Sequence, residues 1–417
     1  MPKAVSLFTA ALAPLAAISV LVGCGGGSLS RGPATLNWYV FKDKSGAYSE
    51  IARTCSQQSG GRYKISIQLL PADADGQRQQ LVRRLAAKDS SIDLMGMDVV
   101  WTGEFAEAKW IKPFPPAARR QISKDIFPAP LATATYRGRL YGAPFNTNVQ
   151  ILFYRKDLAP RPPQTWSEMI AMAKRLPRSR YVAVQGAQYE GYTVWFNTML
   201  NSAGGKVLAG PEKAGLGKPA VRALTVMKDL AGSPAADPSL SNAMEDQTSG
   251  AYSGGKAAFM VNYPDFYGTT EMESKEVFAK TGIARYPAVD AGQPSRPTIG
   301  GINIGVAAFG KHQHQAVAAA TCMSSRPSQK ILAVKGRYAV SNATLYSDPA
   351  VLKAEPFAPV VRTSLLAASL RPVTPAYNDI SLAIQKTLSP PGGIKPASSA
   401  KELKSKIDQA LKSGGLL

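Results

Sequence analysis

The 417 residues include 49 basic and 28 acidic side chains, a net charge of +21, with 45% hydrophobic and 18% charged residues. That is the composition of a globular chain with enough apolar side chains to build a core, and it excludes a disordered one. The basic residues come in ones and twos (Arg83-Arg84, Arg119-Arg120, Lys401, Lys404, Lys406) without a nucleic-acid-binding motif, which argues against a nucleic-acid partner and for a basic surface facing an anionic envelope.

In chain order, Lys3 is followed by an uncharged run from Ala4 to Val22 and then by Gly23-Cys24. A basic start, an apolar middle and a small-residue end read as a signal peptide over residues 1–23. Leu21-Val22-Gly23-Cys24 resembles the bacterial lipobox, in which Cys24 is acylated and becomes the first mature residue. A plain signal peptide or a membrane anchor is the alternative, because the run is close to the roughly twenty residues a spanning helix needs. Gly25 to Gly27 favour the lipoprotein, with residues 24–34 as the lipidated cysteine and a flexible tether. Subtracting Cys24 leaves Cys55 and Cys322, which are expected to pair in an oxidising compartment. A bridge closing so long a loop contributes on the order of 4 kcal/mol on the chain-entropy account, and it places two distant stretches in one lobe. The roughly 390 residues that remain exceed one usual hydrophobic core, so two lobes are expected. No second segment is apolar enough to span a bilayer, which places everything after Cys24 outside the membrane.

Leu36 to Phe41 reads as a strand, Ser49 to Gln58 as a helix, Tyr63 to Leu70 as a strand, Gln77 to Lys88 as a helix and Ile92 to Met97 as a short buried strand. Strands follow at Leu140 to Pro144 and Val149 to Tyr154. Thr165 and Glu168 form a capping box before an apolar helical stripe, and Pro219 opens another helix. Ala257 to Val261 and Gly301 to Ala308 read as strands, Ala316 to Val334 as one helix, and Ser399 with Glu402 as the cap of a terminal helix. Strands alternating with helices predict a parallel α/β architecture.

Chemistry is sparse. His312 and His314 are the two histidines and share one tripeptide, so outside that turn there is no Ser-His-Asp or Cys-His arrangement, and no metal or cofactor is expected. Gly250 to Lys256 fits a phosphate-loop spacing, but Ala257 stands where a magnesium-binding hydroxyl belongs and a strand follows instead of a helix. The carboxylates Asp98, Glu104, Glu190 and Glu245 lie near aromatics, and two of them flanking a bond would make a glycosidase.

Ile151-Leu152-Phe153-Tyr154-Arg155-Lys156-Asp157-Leu158, the Thr165-Trp166 helix start and Gly255-Lys256-Ala257-Ala258-Phe259-Met260 resemble the sugar-type extracellular solute-binding proteins of ABC importers. Met97-Asp98-Val99-Val100-Trp101-Thr102, Glu190-Gly191 with Val194-Trp195-Phe196-Asn197-Thr198, Thr298-Ile299-Gly300-Gly301 and Arg371-Pro372 are similar, within that family, to the trehalose-binding lipoproteins of mycobacteria, in the same order along the mature chain. The resemblance implies an α/β, two-lobed periplasmic-binding-protein-like fold of type II, with lobe one at 35–143 plus 298–344, lobe two at 144–297 plus 345–417, a hinge and a cleft between them. It implies the Cys55–Cys322 disulfide again, and ligand contacts at Asp98, Asn148, Glu245, Gly301 and Arg371.

Carboxylates at 98 and 245 can each accept from neighbouring sugar hydroxyls, Asn148 can donate and accept, Arg371 offers a rigid fork of donors and Gly301 permits close backbone approach. Trp101, Trp195 and Tyr263 are candidates for the apolar faces of the sugar rings; Tyr263 stands where the relatives have Trp. The chain is shorter after Tyr267, and Gly336-Arg337-Tyr338-Ala339-Val340 and Lys42-Asp43 depart from the relatives, which leaves the sugar open. The expected function is a monomeric substrate-binding lipoprotein. It would deliver a disaccharide, trehalose or a related α-linked sugar, to a permease, and would touch the membrane only through its lipid. A glycosidase and a binder of anionic sugar derivatives, through Arg337 and Arg371, are the alternatives.

Overall fold

The computed structural model describes residues 32–210 and 213–412. The expected signal peptide at 1–23, Cys24 and the tether as far as residue 31 lie outside them, and Pro33–Leu417 forms one compact unit.

Two sheets organise that unit. The first has five strands in the order Tyr63–Leu69, Ala34–Val40, Leu94–Asp98, Gly300–Val306, Gly142–Asn148. The second has four, in the order Thr281–Ala284, Ile151–Arg155, Ala257–Asn262, Tyr181–Ala183. Each sheet anchors one lobe of a mixed α/β fold.

The first three strands of the five-stranded sheet are parallel, as strand–helix alternation predicts. Gly300–Val306 is not: it runs antiparallel to both Leu94–Asp98 and Gly142–Asn148. This strand returns from the second lobe and enters the sheet at the end where its neighbours leave, so it must run the opposite way. Local periodicity carries no information about such a return.

Proline sets the clearest differences between expected and observed helices. The single helix expected at Ala316 to Val334 is two, Gln313–Met323 and Arg326–Gly336. Pro327 has no N–H to continue the first helix and is tolerated only in the first turn of the second. The terminal helix spans Pro396–Lys412 and so starts at a proline upstream of Ser399, whose hydroxyl instead accepts from the Lys395 N–H at 3.1 Å. The helix expected to open at Pro219 begins two residues earlier, at Gly217, whose φ is +58°. At Thr165 the expected cap is present, its hydroxyl accepting from the Glu168 N–H at 3.1 Å.

Cys55, on the helix Ala47–Gln58, and Cys322, on Gln313–Met323, are joined by a disulfide with Cα atoms 5.9 Å apart. Beneath the bridge Trp38, Tyr48 and Phe145 pack with ring centroids 5.2–5.5 Å apart. The second lobe is built on Trp166, Trp195, Tyr192 and Tyr286, at 5.6–5.9 Å. The C-terminal helices Tyr377–Leu388 and Pro396–Lys412 bring Ile380, Ile384, Leu403 and Ile407 to this core. Val351, Val361 and Leu365 join instead the cluster that links Phe145 of the first sheet to Met260 of the second.

Candidate functional site

Asp98 is the last residue of a strand that is otherwise buried. It pairs with Ile302, while Thr147 pairs with Gly301 and Asn148 with Gly300, so sheet register alone brings Asp98, Gly301 and Asn148 to one end of the first sheet. Asp98 Oδ1 accepts from the Val100 N–H at 3.1 Å and from Arg371 Nη2 at 2.9 Å. Its Oδ2 takes no bond among the described residues and is available to an incoming hydroxyl.

Arg371 is 4% exposed. Its Nη1 donates to Glu190 Oε1 at 2.6 Å, so one guanidinium joins a carboxylate of the first lobe to a carboxylate of the helix Glu190–Ser202 in the second. Tyr377 donates to the same Oε1, Ser381 to Oε2 at 2.6 Å, and the Glu190 N–H donates to Asp75 at 3.2 Å. A buried ion pair recovers its desolvation cost only with such additional bonds. Burial pushes Glu190 up to about 7 against the opposing pull of the guanidinium. Burial alone would lower Arg371, but Asp98, Tyr377 and Glu190 hold it well above its ordinary value.

Tyr263, just past the strand Ala257–Asn262, donates its N–H to Asn262 Oδ1 at 2.9 Å. Burial raises its hydroxyl well above the ordinary value, with Glu245, Asp98 and Glu190 adding to the rise and Arg371 opposing it. The adjacent Asn262 side-chain amide donates to the Glu245 carbonyl at 3.0 Å, tying this strand end to the start of the helix Glu245–Ser253. Burial raises Glu245, and the Tyr189 hydroxyl beside it lowers it. Asp98 and Arg371 are thus joined by a direct bond, Glu245 is tied to the Tyr263 strand end through Asn262, and the two pairs are coupled electrostatically, from segments far apart in sequence.

The other expected site residues have different surroundings. Asn148 Oδ1 is buried without a partner at the same sheet end. Gly301 has φ +128°, and a Cβ there would lie 2.5 Å from the Asn146 carbonyl oxygen, so the neighbouring strand requires the missing side chain. Trp101 is 4% exposed and stacked on Phe105 with centroids 5.8 Å apart. Trp195 is wholly buried in the second core against Trp166 and is not brought to the cluster.

A second set of acidic groups is formed by Asp43, Asp265 and Glu355. Asp43 accepts from the Ser45 and Tyr338 hydroxyls at 2.7 and 3.1 Å and from the Tyr48 N–H at 3.0 Å. Burial, reinforced by Glu245, pushes Asp265 up to about 7. Burial also pushes Glu355 up to about 8, despite Arg337. Arg337 is committed to Glu271 at 2.6 Å.

Sequence reasoning placed Arg371 at a ligand and Glu190 among possible catalytic acids. It missed that they hold each other, and it missed Tyr377 and Ser381 altogether. Tyr377 meets Glu190 across 187 residues, and the one signal available was the quoted Glu190-Gly191 and Arg371-Pro372 pair of segments. Glu104 is bound to Arg78 at 2.5 Å. The segment Gly250 to Lys256 is the end of a helix and the turn into Ala257–Asn262. Among the described residues no group of three or more His, Cys, Asp or Glu is placed to hold a metal, and no helix is long and apolar enough to cross a membrane.

The family of bacterial extracellular solute-binding proteins matches residues 58–330. A probable ABC transporter-binding protein of Deinococcus radiodurans is 31% identical over 336 residues, 76% of this chain and 79% of that protein. Maltose-bound MalE3 of T. maritima has the same fold, with a TM-score of 0.82 at 24% identity over 90% of this chain and 99% of that one. So has the GacH receptor of Streptomyces glaucescens, with a TM-score of 0.81 at 21% identity over 91% and 99%. The chain belongs to the bacterial extracellular solute-binding protein family, and is a binding protein rather than an enzyme.

Proposed function

We propose that the chain is the substrate-binding lipoprotein of an ABC importer and takes a neutral disaccharide, trehalose or a related α-linked sugar, between its lobes. The observation that carries this reading is a guanidinium already neutralised by Asp98 and Glu190, with Tyr263 and Glu245 coupled to it electrostatically. Free carboxylate oxygens beside an aromatic ring suit hydroxyls and C–H faces. Arg337 and Arg371, the cations an anionic sugar would need, both have carboxylate partners. The Deinococcus relative's name supports the importer, and maltose in MalE3 and acarbose in GacH support an oligosaccharide.

In this reading the expected bounds, lobe one at 35–143 plus 298–344 and lobe two at 144–297 plus 345–417, shift at one point, because the strand Gly142–Asn148 belongs to the first sheet and carries lobe one as far as Asn148. The monomer closes by hinge motion, and the closed form is what the permease engages. Arg371 acts as a positioning residue that presents Asp98, with Asn148 and the backbone at Gly301 beside it. Cys24 carries the lipid, which incorporation of labelled palmitate into the chain, and its loss in Cys24→Ser, tests. For the site, Asp98→Ala abolishes measurable sugar binding, because a polar pocket is selective through the groups it leaves unpaired. Retained affinity in that variant removes Asp98 from the site.

A further inference from the structure

The net charge of +21 has no counterpart in the cleft, where carboxylates predominate. Part of it gathers on one face of the first lobe. Lys109, Lys112, Arg119, Arg120, Arg137 and Arg139 are all exposed and surround two adjoining hollows of about 400 and 440 Å³ that share Pro113 and Arg139. Among the described residues one ion pair, Arg137 to Glu107 at 3.0 Å, offsets them. Arg119 reaches only the Gly138 carbonyl, at 3.3 Å.

Sheet register fixes where this face lies. The Lys112 N–H bonds the Val306 carbonyl and the Phe114 N–H the Leu140 carbonyl. Val306 pairs with Leu94, whereas Asp98 pairs with Ile302. The basic face therefore stands at the end of the first sheet opposite Asp98, about 13 Å away, four residues along the Gly300–Val306 strand at ~3.3 Å per residue. The chain enters at that same end. Ala34–Val40 runs parallel to Leu94–Asp98 with Trp38 opposite Leu94, so Ala34 lies beyond Leu94 on the side away from the cleft. Nine residues, Cys24 to Gly32, precede Pro33, and they cannot reach beyond ~30 Å even fully extended.

We infer that this end of the first lobe is a membrane-facing surface that rests on anionic phospholipid. The inference rests on the lipid-anchor reading of Cys24: an acyl chain there confines the entry end within the tether's reach of the bilayer, and unpaired Lys and Arg near an anionic surface each add on the order of 1 kcal/mol of attraction.

The test uses residues 33–417, a compact unit that lacks Cys24, so that failure here is separate from failure of palmitate labelling. Co-sedimentation at low salt is expected with vesicles of phosphatidylglycerol and phosphatidylcholine in equal parts and not with phosphatidylcholine alone. Arg119→Glu/Arg120→Glu/Arg139→Glu is expected to weaken partition at least tenfold, following the per-residue attraction above, with thermal midpoint and sugar affinity unchanged. Lys401→Glu/Lys404→Glu/Lys406→Glu, on the terminal helix of the other lobe, is expected to bind like the parent. Equal loss in the two triple variants, full binding by the first, or no binding of the parent to phosphatidylglycerol overturns the proposal.

Discussion

Two groups of buried acids, one around Arg371 and one around Asp265 and Glu355, are handled in different ways. At Arg371 each carboxylate has a cation and further donors: Asp98 has the guanidinium and a backbone N–H, and Glu190 has the guanidinium, Tyr377 and Ser381. Around Asp265 and Glu355 there is no such partner, burial dominates, and the carboxyls are pushed up to about 7 and 8. The first arrangement surrounds its carboxyls with bonded donors; the second leaves their neutralisation to protons alone. Glu190, pushed up to about 7, shares the pH sensitivity of Asp265 and Glu355, but its bonds to Arg371, Tyr377 and Ser381 hold it in place, which the other two lack.

The largest effect is expected from Arg371→Ala. Removing the cation leaves Asp98 and Glu190 as uncompensated charges and costs about 3–5 kcal/mol in urea unfolding. A cost below about 1 kcal/mol would erase the contrast between the two groups. Glu190→Gln is expected to cost less, about 1–3 kcal/mol, since Arg371 keeps Asp98.

Asp265 and Glu355 predict the opposite response to charge removal. Folding favours their protonated forms, so their contribution is complete below the ordinary carboxylate pKa and is lost as pH rises through about 7 and 8. The thermal midpoint is expected to fall between about pH 5.5 and pH 8.5, and Glu355→Gln should flatten that slope and raise stability at the alkaline end. An unchanged slope in the variant would show that Glu355 does not take up a proton on folding. The smallest effect is expected at Lys44–Asp246, a 2.9 Å pair bridging the lobes with both side chains more than half exposed. Lys44→Ala should change stability by less than about 1 kcal/mol, and a larger loss in urea unfolding would mark this pair as a latch.

What could be read from the sequence follows the range of the interactions involved. Strands such as Tyr63–Leu69 and Ala257–Asn262 emerged within a residue of their expected bounds, because alternation and flanking glycines act locally. Cys55 and Cys322 could be paired by counting, 267 residues apart, because a covalent bond leaves few alternatives. The reversed strand Gly300–Val306, the Tyr377–Glu190 bond and the commitment of Arg371 to two acids were not legible. Each depends on which distant segments meet at the cleft, and residue type shows that Arg371 can donate without showing to whom. The aromatic candidates illustrate the same limit: Trp195 and Tyr263 look alike in sequence, yet one is wholly buried in a lobe's core and the other is half-buried at a strand end whose Asn262 bonds Glu245.

Isothermal titration of the chain with trehalose, maltose and maltotriose, alongside a sugar phosphate and a uronic acid, tests the central claim most directly. The account predicts saturable heat with a neutral sugar at micromolar affinity, about 8 kcal/mol, and none with the anionic ligands. Binding of the anionic ligands with no heat from any neutral sugar would contradict it.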